Sequence, residues 1–331
     1  METGLPSKLP WQAEVLRRAL ALRDQQHLPH AVLLDSGSDL HLDDLARYLS
    51  TLLLCDAPRE LAICGACEAC RTMSAGTYAD FSLVTLEPDP KTKKISKNIK
   101  IEQIRNLIHE LSLTPKFDRL KIAVIFPADT MNKASANALL KTLEEPAPGV
   151  LLILLTANPG RIPITLRSRC QAWSIAPATS EQATAWLEEQ GMDTASIAQY
   201  LHYAGGDPLL AQQLYQQEYA QQVDRFKTQL ATFLRGGIGA SELCKSLLGN
   251  EVATVRRLIA MTLGAYSFQA CGVDPATSGG NSVNAPRARA LLDLQRRAQR
   301  QLRVEENNLD FQIQLEDVLI SLKQILTRRT H

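Results

Sequence analysis

Residues Arg119 to Cys170 read RLKIAVIFPADTMNKASANALLKTLEEPAPGVLLILLTANPGRIPITLRSRC, and this stretch decides the fold. Ile122 to Phe126 and Val150 to Thr156 are continuous apolar runs, the pattern of strands buried on both faces of a parallel sheet. Between them Ala134, Ala138, Leu139 and Leu143 recur at helical spacing, and Pro146 stops the helix. After the second strand Arg161, Arg167 and Arg169 are delivered to the end of a sheet within a few residues. Guanidinium is always charged and carries a rigid fork of donors that fits a phosphate. An arginine held there completes a phosphate site, or it meets the commoner fate of pairing with a surface carboxylate.

Working outward, 331 residues are too many for one small core and predict two or three domains. Apolar residues at 45% against charged residues at 21% place the chain among ordinary globular proteins. No long uncharged apolar run is present and the first twenty residues alternate charge with apolar positions rather than forming a signal peptide, so a cytoplasmic location is expected. A formal charge of +1 excludes a protein that coats nucleic acid by itself, which needs a strong basic excess.

Toward the start, Trp11, Val15, Leu16, Ala19 and Leu22 share one face of a helix. Ala31 to Leu34 is a short apolar strand and Leu42 to Leu54 is helical, giving the strand, loop, helix order of a P-loop unit. The loop itself runs from Gly37 to Asp44 without a second glycine for close backbone approach or a lysine for the β and γ phosphates. Asp39, Asp43 and Asp44 put negative charge where polyphosphate would sit. The expectation is a phosphate loop that binds no nucleotide.

Cys55, Cys64, Cys67 and Cys70 have the spacing C-x8-C-x2-C-x2-C, with Gly65 allowing a tight turn between ligands. Thiolates at such spacings suit tetrahedral zinc, and four sulfurs leave no open position for a catalytic water, so the site is read as structural. A disulfide framework fits poorly with a cytoplasmic chain, and an iron-sulfur cluster is the other reading that spacing leaves open. Cys170, Cys244 and Cys271 lie outside this cluster.

Asp80 to Leu86 reads as a further strand, followed by a polar loop with Lys91, Lys93, Lys94, Lys97 and Lys100, either a solvated loop or a phosphate-contacting patch. Ile101, Ile104, Leu107, Ile108 and Leu111 predict a helix against the sheet. Gln171 to Ile175 supplies a last strand, and Thr179 and Ser180 offer N-cap oxygens to the helix after it. Ser196 to Ala204 is helical, and beyond Pro208 helices are expected over Leu209–Leu234, Ala240–Leu248, Val252–Phe268, Ala285–Leu302 and Leu309–Leu326. Arg287, Arg289, Arg296, Arg297, Arg300 and Arg303 line one of these and either touch DNA or pair with Glu305, Glu306 or solvent. Ile313, Val318, Leu319, Leu322 and Ile325 form a core or interface stripe.

The runs KASANALLKTLEEP and TLRSRC, together with the cysteine cluster, resemble the AAA+ clamp-loader family. The resemblance covers nearly the whole chain and is weakest after Leu209. It implies an AAA+ type P-loop parallel sheet domain at 1–175 with a zinc module at 55–70, a small helical lid at 176–207, and an all-α collar for oligomerisation at 208–331. It implies that Ser168, Arg169 and Cys170 stand at a subunit interface, where Arg169 reaches ATP bound by a neighbour. Aligning the LLKTLEEP stretch puts Phe126 and Pro127 at the two acidic positions of the active relatives, and leaves Asp129 as a helix cap or surface partner. Gly205-Gly206-Asp207-Pro208 replaces the expected Gly-Ser-x-Arg. Three elements of an ATP site are therefore missing together.

The implied function is that of a subunit that does not hydrolyse ATP, carries structural zinc, and helps tau/gamma and delta subunits load the beta sliding clamp onto primed DNA within the polymerase assembly. Asn137, Lys141 and Glu144 belong to the shared motif as helix-surface or interface residues. Competing readings are an autonomous ATPase, a scaffold without an arginine finger, and a zinc-dependent nucleic-acid module. The last fits badly, since Cys55 to Cys70 holds Arg59 against Asp56, Glu60 and Glu68.

Overall fold

The computed structural model describes residues 9–35, 42–88, 95–116, 120–249, 251–272, 284–302 and 308–327. Strands β1 (Ala31–Asp35), β2 (Phe81–Val84), β3 (Lys121–Ile125), β4 (Val150–Thr156) and β5 (Gln171–Ser174) make one sheet in the order β2-β3-β4-β1-β5. All four pairings are parallel. Every residue of β3 and β4 is buried, which is why their sequences carry no alternation. In register, Asp35 lies opposite both Thr156 and Ser174, so the carboxyl ends of β4, β1 and β5 form a common rim.

Helices cover both faces. On one, α1 (Ala13–Asp24), α2 (Leu42–Leu54) and α3 (Glu68–Ser74) bury Leu16, Leu45, Leu49 and Leu52 against Val32, Leu34, Ile122 and Ile153. Arg23 at the end of α1 donates from Nη1 to the carbonyls of Leu52 and Cys55, at 3.2 and 3.3 Å. On the other face, α4 (Ile101–Ser112), α5 (Lys133–Glu144) and the single turn α6 (Ile164–Arg167) contribute Ile104, Leu107, Leu139, Leu143 and Leu166. The helices α7 (Ser180–Glu189) and α8 (Thr194–Tyr203) follow, α7 opening with a capping box in which Thr179 and Gln182 exchange bonds. The ring of Trp186 on α7 meets Trp11 edge-on at 5.6 Å.

Two compact units are distinguishable, Met1–Leu201 with Gly206–Leu210, and His202–Gly205 with Ala211–His331. The second is helical: the part of α9 (Pro208–Gln216) from Ala211 onward, α10 (Tyr219–Leu234), α11 (Ala240–Leu247), α12 (Val252–Ala270), α13 (Ala285–Gln301) and α14 (Asn308–Thr327). Within it Arg297 reaches Asp317 and Ser321 across α13 and α14, at 3.4 and 2.6 Å.

Several boundaries differ from the pattern reading. Strand β3 ends one residue before Phe126, because Pro127 has no N–H to continue the ladder. The strand expected over Asp80 to Leu86 is confined to β2. In α5 the buried face runs through Ser135 and Ala136, whereas Ala134 is exposed; the Ser135 hydroxyl donates to the Ile99 carbonyl at 2.9 Å, which turns it inward. The single helix expected over Leu209–Leu234 is two, parted at Glu218 with φ of 51°. Burial of Tyr219, edge-on to Tyr203 at 5.5 Å, outweighs the helical propensity of that segment. On α14 Val318, Leu319 and Leu322 are buried but Ile313 is exposed.

Lys121, at the start of β3, is 7% exposed. Its Nζ donates to the carbonyls of Glu110 and Leu113 at the end of α4, at 2.9 and 3.0 Å, and lies 3.8 Å from Asp80 Oδ1. It thus satisfies carbonyls that a helix end leaves open and offsets a buried carboxylate. Lys121→Ala is expected to destabilise the protein by roughly 3 kcal/mol, the loss typical of breaking a buried pair. Urea unfolding should show the midpoint falling with an unchanged slope.

Candidate functional site

At the rim formed by the strand ends, β3 passes into Phe126 and Pro127, both half-buried, and then into a short turn carrying Asp129. Asp129 is not the cap of α5; it is a buried carboxylate partnered with a hydroxyl and with an exposed arginine. Its side chain is 6% exposed, its Oδ1 accepts the Thr156 hydroxyl at 2.8 Å, and its Oδ2 lies 3.9 Å from Arg161. The cap of α5 is Asn132, whose Oδ1 accepts Ser135 N–H at 2.8 Å. Thr156 Oγ1 in turn accepts the backbone N–H of Asn158 at 2.8 Å, so the carboxylate and hydroxyl fix the exit of β4.

Of the phosphate-loop residues, Gly37 and Asp39 lie outside the described residues. Asp43 and Asp44 occupy the first turn of α2, where their charge complements the helix macrodipole and meets any anion approaching that end. Asp207 Oδ1 accepts the N–H groups of Leu209 and Leu210, at 3.0 and 3.2 Å, and caps α9. Where the resemblance expected an arginine, Pro208 opens that helix.

The turn after α6 carries Ser168, Arg169 and Cys170. Arg169 is held from two sides. Its Nε and Nη2 donate to Glu144 Oε1 at 2.9 and 2.6 Å, and its Nη1 donates to the Thr165 carbonyl at 2.9 Å. The Arg169 and Glu144 side chains are 35% and 50% exposed. Cys170 packs against the α5 face of the sheet, and burial pushes its thiol up to about 11. Arg167 and Ser168 also border a cleft of about 360 Å³ together with Leu33, Asp35, Ala172 and Ser174. The Glu144 partner was not anticipated from the sequence; the signal available was a pair of glutamates at a helix C-terminus, where the macrodipole disfavours them.

The cysteine cluster lies beside this domain's first core. All four sulfurs of Cys55, Cys64, Cys67 and Cys70 fall within 4.8 Å of one another, and those of Cys64 and Cys70 are 3.9 Å apart. Tetrahedral ligation by sulfur at ~2.3 Å places ligand atoms ~3.8 Å apart, so the set fits a metal ion without rearrangement of the chain. Backbone N–H groups of Cys64, Cys67 and Cys70 donate to the sulfurs of Cys55, Cys64 and Cys67. Donation from the Cys67 and Ala66 backbones pulls the Cys64 thiol down to about 6, whereas burial raises Cys55 and Cys70. Gly65 takes φ of 69° in the turn between two ligands. The Tyr48 hydroxyl donates to the Leu61 carbonyl at 2.6 Å and fastens the module to α2.

Among the lysines, Lys97 is exposed and Lys100 half-buried, while Lys91, Lys93 and Lys94 lie outside the described residues, as do Arg303, Glu305 and Glu306. Among the described residues no helix is long and apolar enough to cross a membrane.

The sheet, covered by helices on both faces, with an arginine past its strand ends and a cysteine module beside it, makes an α/β domain with the strand, loop, helix order expected from the sequence. Residues 11–179 match the family described as DNA polymerase III, delta subunit, and the chain belongs to that family. Subunit delta' of DNA polymerase III from Pseudomonas aeruginosa is 32% identical over 239 residues, 72% of this chain and 70% of that one. Subunit delta' from Escherichia coli is 32% identical over 208 residues, 62% of this chain and 60% of that one. Subunit tau of the Escherichia coli polymerase is 31% identical over 159 residues, 48% of this chain and 23% of its own length.

Replacing Cys70 by serine is expected to abolish stoichiometric metal in the purified chain, measured by emission spectroscopy. Because ligation requires thiolates, metal affinity should fall as pH is lowered, with protons displacing the ion.

Proposed function

We propose that this chain is a clamp-loader subunit of a DNA polymerase III assembly that does not hydrolyse ATP, and that it supplies Arg169 in trans to ATP held by a neighbouring tau/gamma subunit. The observation that carries this reading is an asymmetry at the rim. The end of β3 presents Phe126 and Pro127, which cannot bind magnesium, and the start of α2 presents Asp43 and Asp44, which repel phosphate. On the same domain a half-exposed guanidinium stands beside Ser168 and Cys170 with its side chain tethered. A domain able to stabilise phosphoryl-transfer charge but unable to hold the nucleotide suits service to another subunit's site.

In this reading tau/gamma and delta are the direct partners, the beta sliding clamp and primed DNA are engaged through the complex, and the location is cytoplasmic. Residues 1–175 act as the AAA+ core, 176–207 as the lid and 208–331 as the collar that joins subunits. The ion at Cys55, Cys64, Cys67 and Cys70 is zinc in a structural role, since four sulfurs leave no position for water.

When the assembly is reconstituted with primed DNA and the sliding clamp, Arg169→Ala should lower hydrolysis at the interface this chain serves by roughly a thousandfold. Total turnover would then fall by that interface's share, and clamp loading with it. Gel filtration run in parallel establishes that the complex still forms. Unchanged turnover in an intact complex would make the chain a scaffold. The isolated chain should neither bind nor hydrolyse ATP; measurable turnover lost on mutation between Gly37 and Asp44 would instead make it an autonomous ATPase.

A further inference from the structure

We infer that Glu144 is a positioning residue for Arg169, holding the guanidinium so that part of its donor set stays available to a phosphate; this rests on the proposed role of Arg169. The contacts divide the donors of the guanidinium. Glu144 Oε1 takes the Nε–Nη2 side at 2.9 and 2.6 Å, and the Thr165 carbonyl takes Nη1 at 2.9 Å, with Ser168 Oγ at 3.4 Å. Glu144 engages Nε and Nη2 and, among the described residues, no carboxylate meets Nη1. A guanidinium has five N–H donors, and these contacts leave part of that set for phosphate oxygens. Arg169 can therefore engage a nucleotide while its tether stays in place.

The tether is built on rigid parts. Glu144 is the last residue of α5, which is capped by Asn132, pinned by Ser135 to Ile99, and seated on the sheet through Leu139 and Leu143. Thr165 belongs to the turn whose Leu166 is fully buried. Holding a flexible side chain from two such supports removes its rotamer freedom before the partner arrives, which is how orientation accelerates a reaction.

A second observation comes from where the glutamate stands. Glu144 and Glu145 end α5, the position at which the helix macrodipole disfavours negative charge. A local rule broken at an exposed position points to a use for the charge outside the helix. An exposed ion pair contributes little to folding, so stability alone does not account for it.

The test compares wild type, Glu144→Ala, Arg169→Ala and the double variant in the reconstituted assembly with primed DNA and sliding clamp, each checked for complex formation by gel filtration. Glu144→Ala should lower kcat at the served interface by roughly 10- to 100-fold with KM for ATP unchanged, since a misplaced finger fails in the transition state. The double variant should be no worse than Arg169→Ala. If Arg169→Ala is defective while Glu144→Ala matches wild type or turns over faster, the pair is adventitious or restraining and this inference fails alone. Additive losses in the double variant also overturn it, by placing Glu144 in a separate role. If Arg169→Ala itself is without effect, the finger and its positioning residue fall together.

Discussion

Burial of β3 and β4 on both faces is the constraint from which the rest of this domain follows. A strand that is apolar at every position leaves only its ends free for polar chemistry. Polar groups accordingly gather past the strand ends: Thr156 at the end of β4, Asp129 just past β3, and Arg169 in the turn after α6. The hydrogen bonds from Thr156 to Asp129 and from Asn158 to Thr156 turn the chain out of the sheet in a fixed direction. The loop carrying the arginine starts from that fixed exit.

The start of α2 shows how acidic residues can serve the fold itself. Nothing in the packing of the sheet needs a nucleotide; both faces are filled by leucine, isoleucine and valine from the covering helices. Asp43 and Asp44 complement the helix they begin, and Asp207 caps the helix it precedes.

Much of this was legible in the sequence because it depends on local pattern. Continuous apolar runs located β3 and β4, and four cysteines at short spacings located sulfurs that do converge within 4.8 Å. What escaped depends on tertiary partners. Ser135 turns inward to a carbonyl that lies 36 positions away in the chain, and the break at Glu218 follows from burying Tyr219. The partnership of Glu144 with Arg169 joins residues 25 apart on different elements, which no periodicity reports. The burial of Asp129 and its Thr156 partner escaped for the same reason, since that hydroxyl stands at the end of β4, 27 positions away.

Arg23 links two parts of the molecule that are distant in sequence. Its guanidinium reads the carbonyl of Cys55, a residue whose sulfur belongs to the metal-ligating set, and also that of Leu52 one turn earlier. Whatever fixes Cys55 thus also fixes the acceptor that seats the end of α1. An ion held by those sulfurs would thereby be coupled to the docking of α1. Slowed backbone amide exchange along α1 would then be a distant readout of an ion held by four sulfurs.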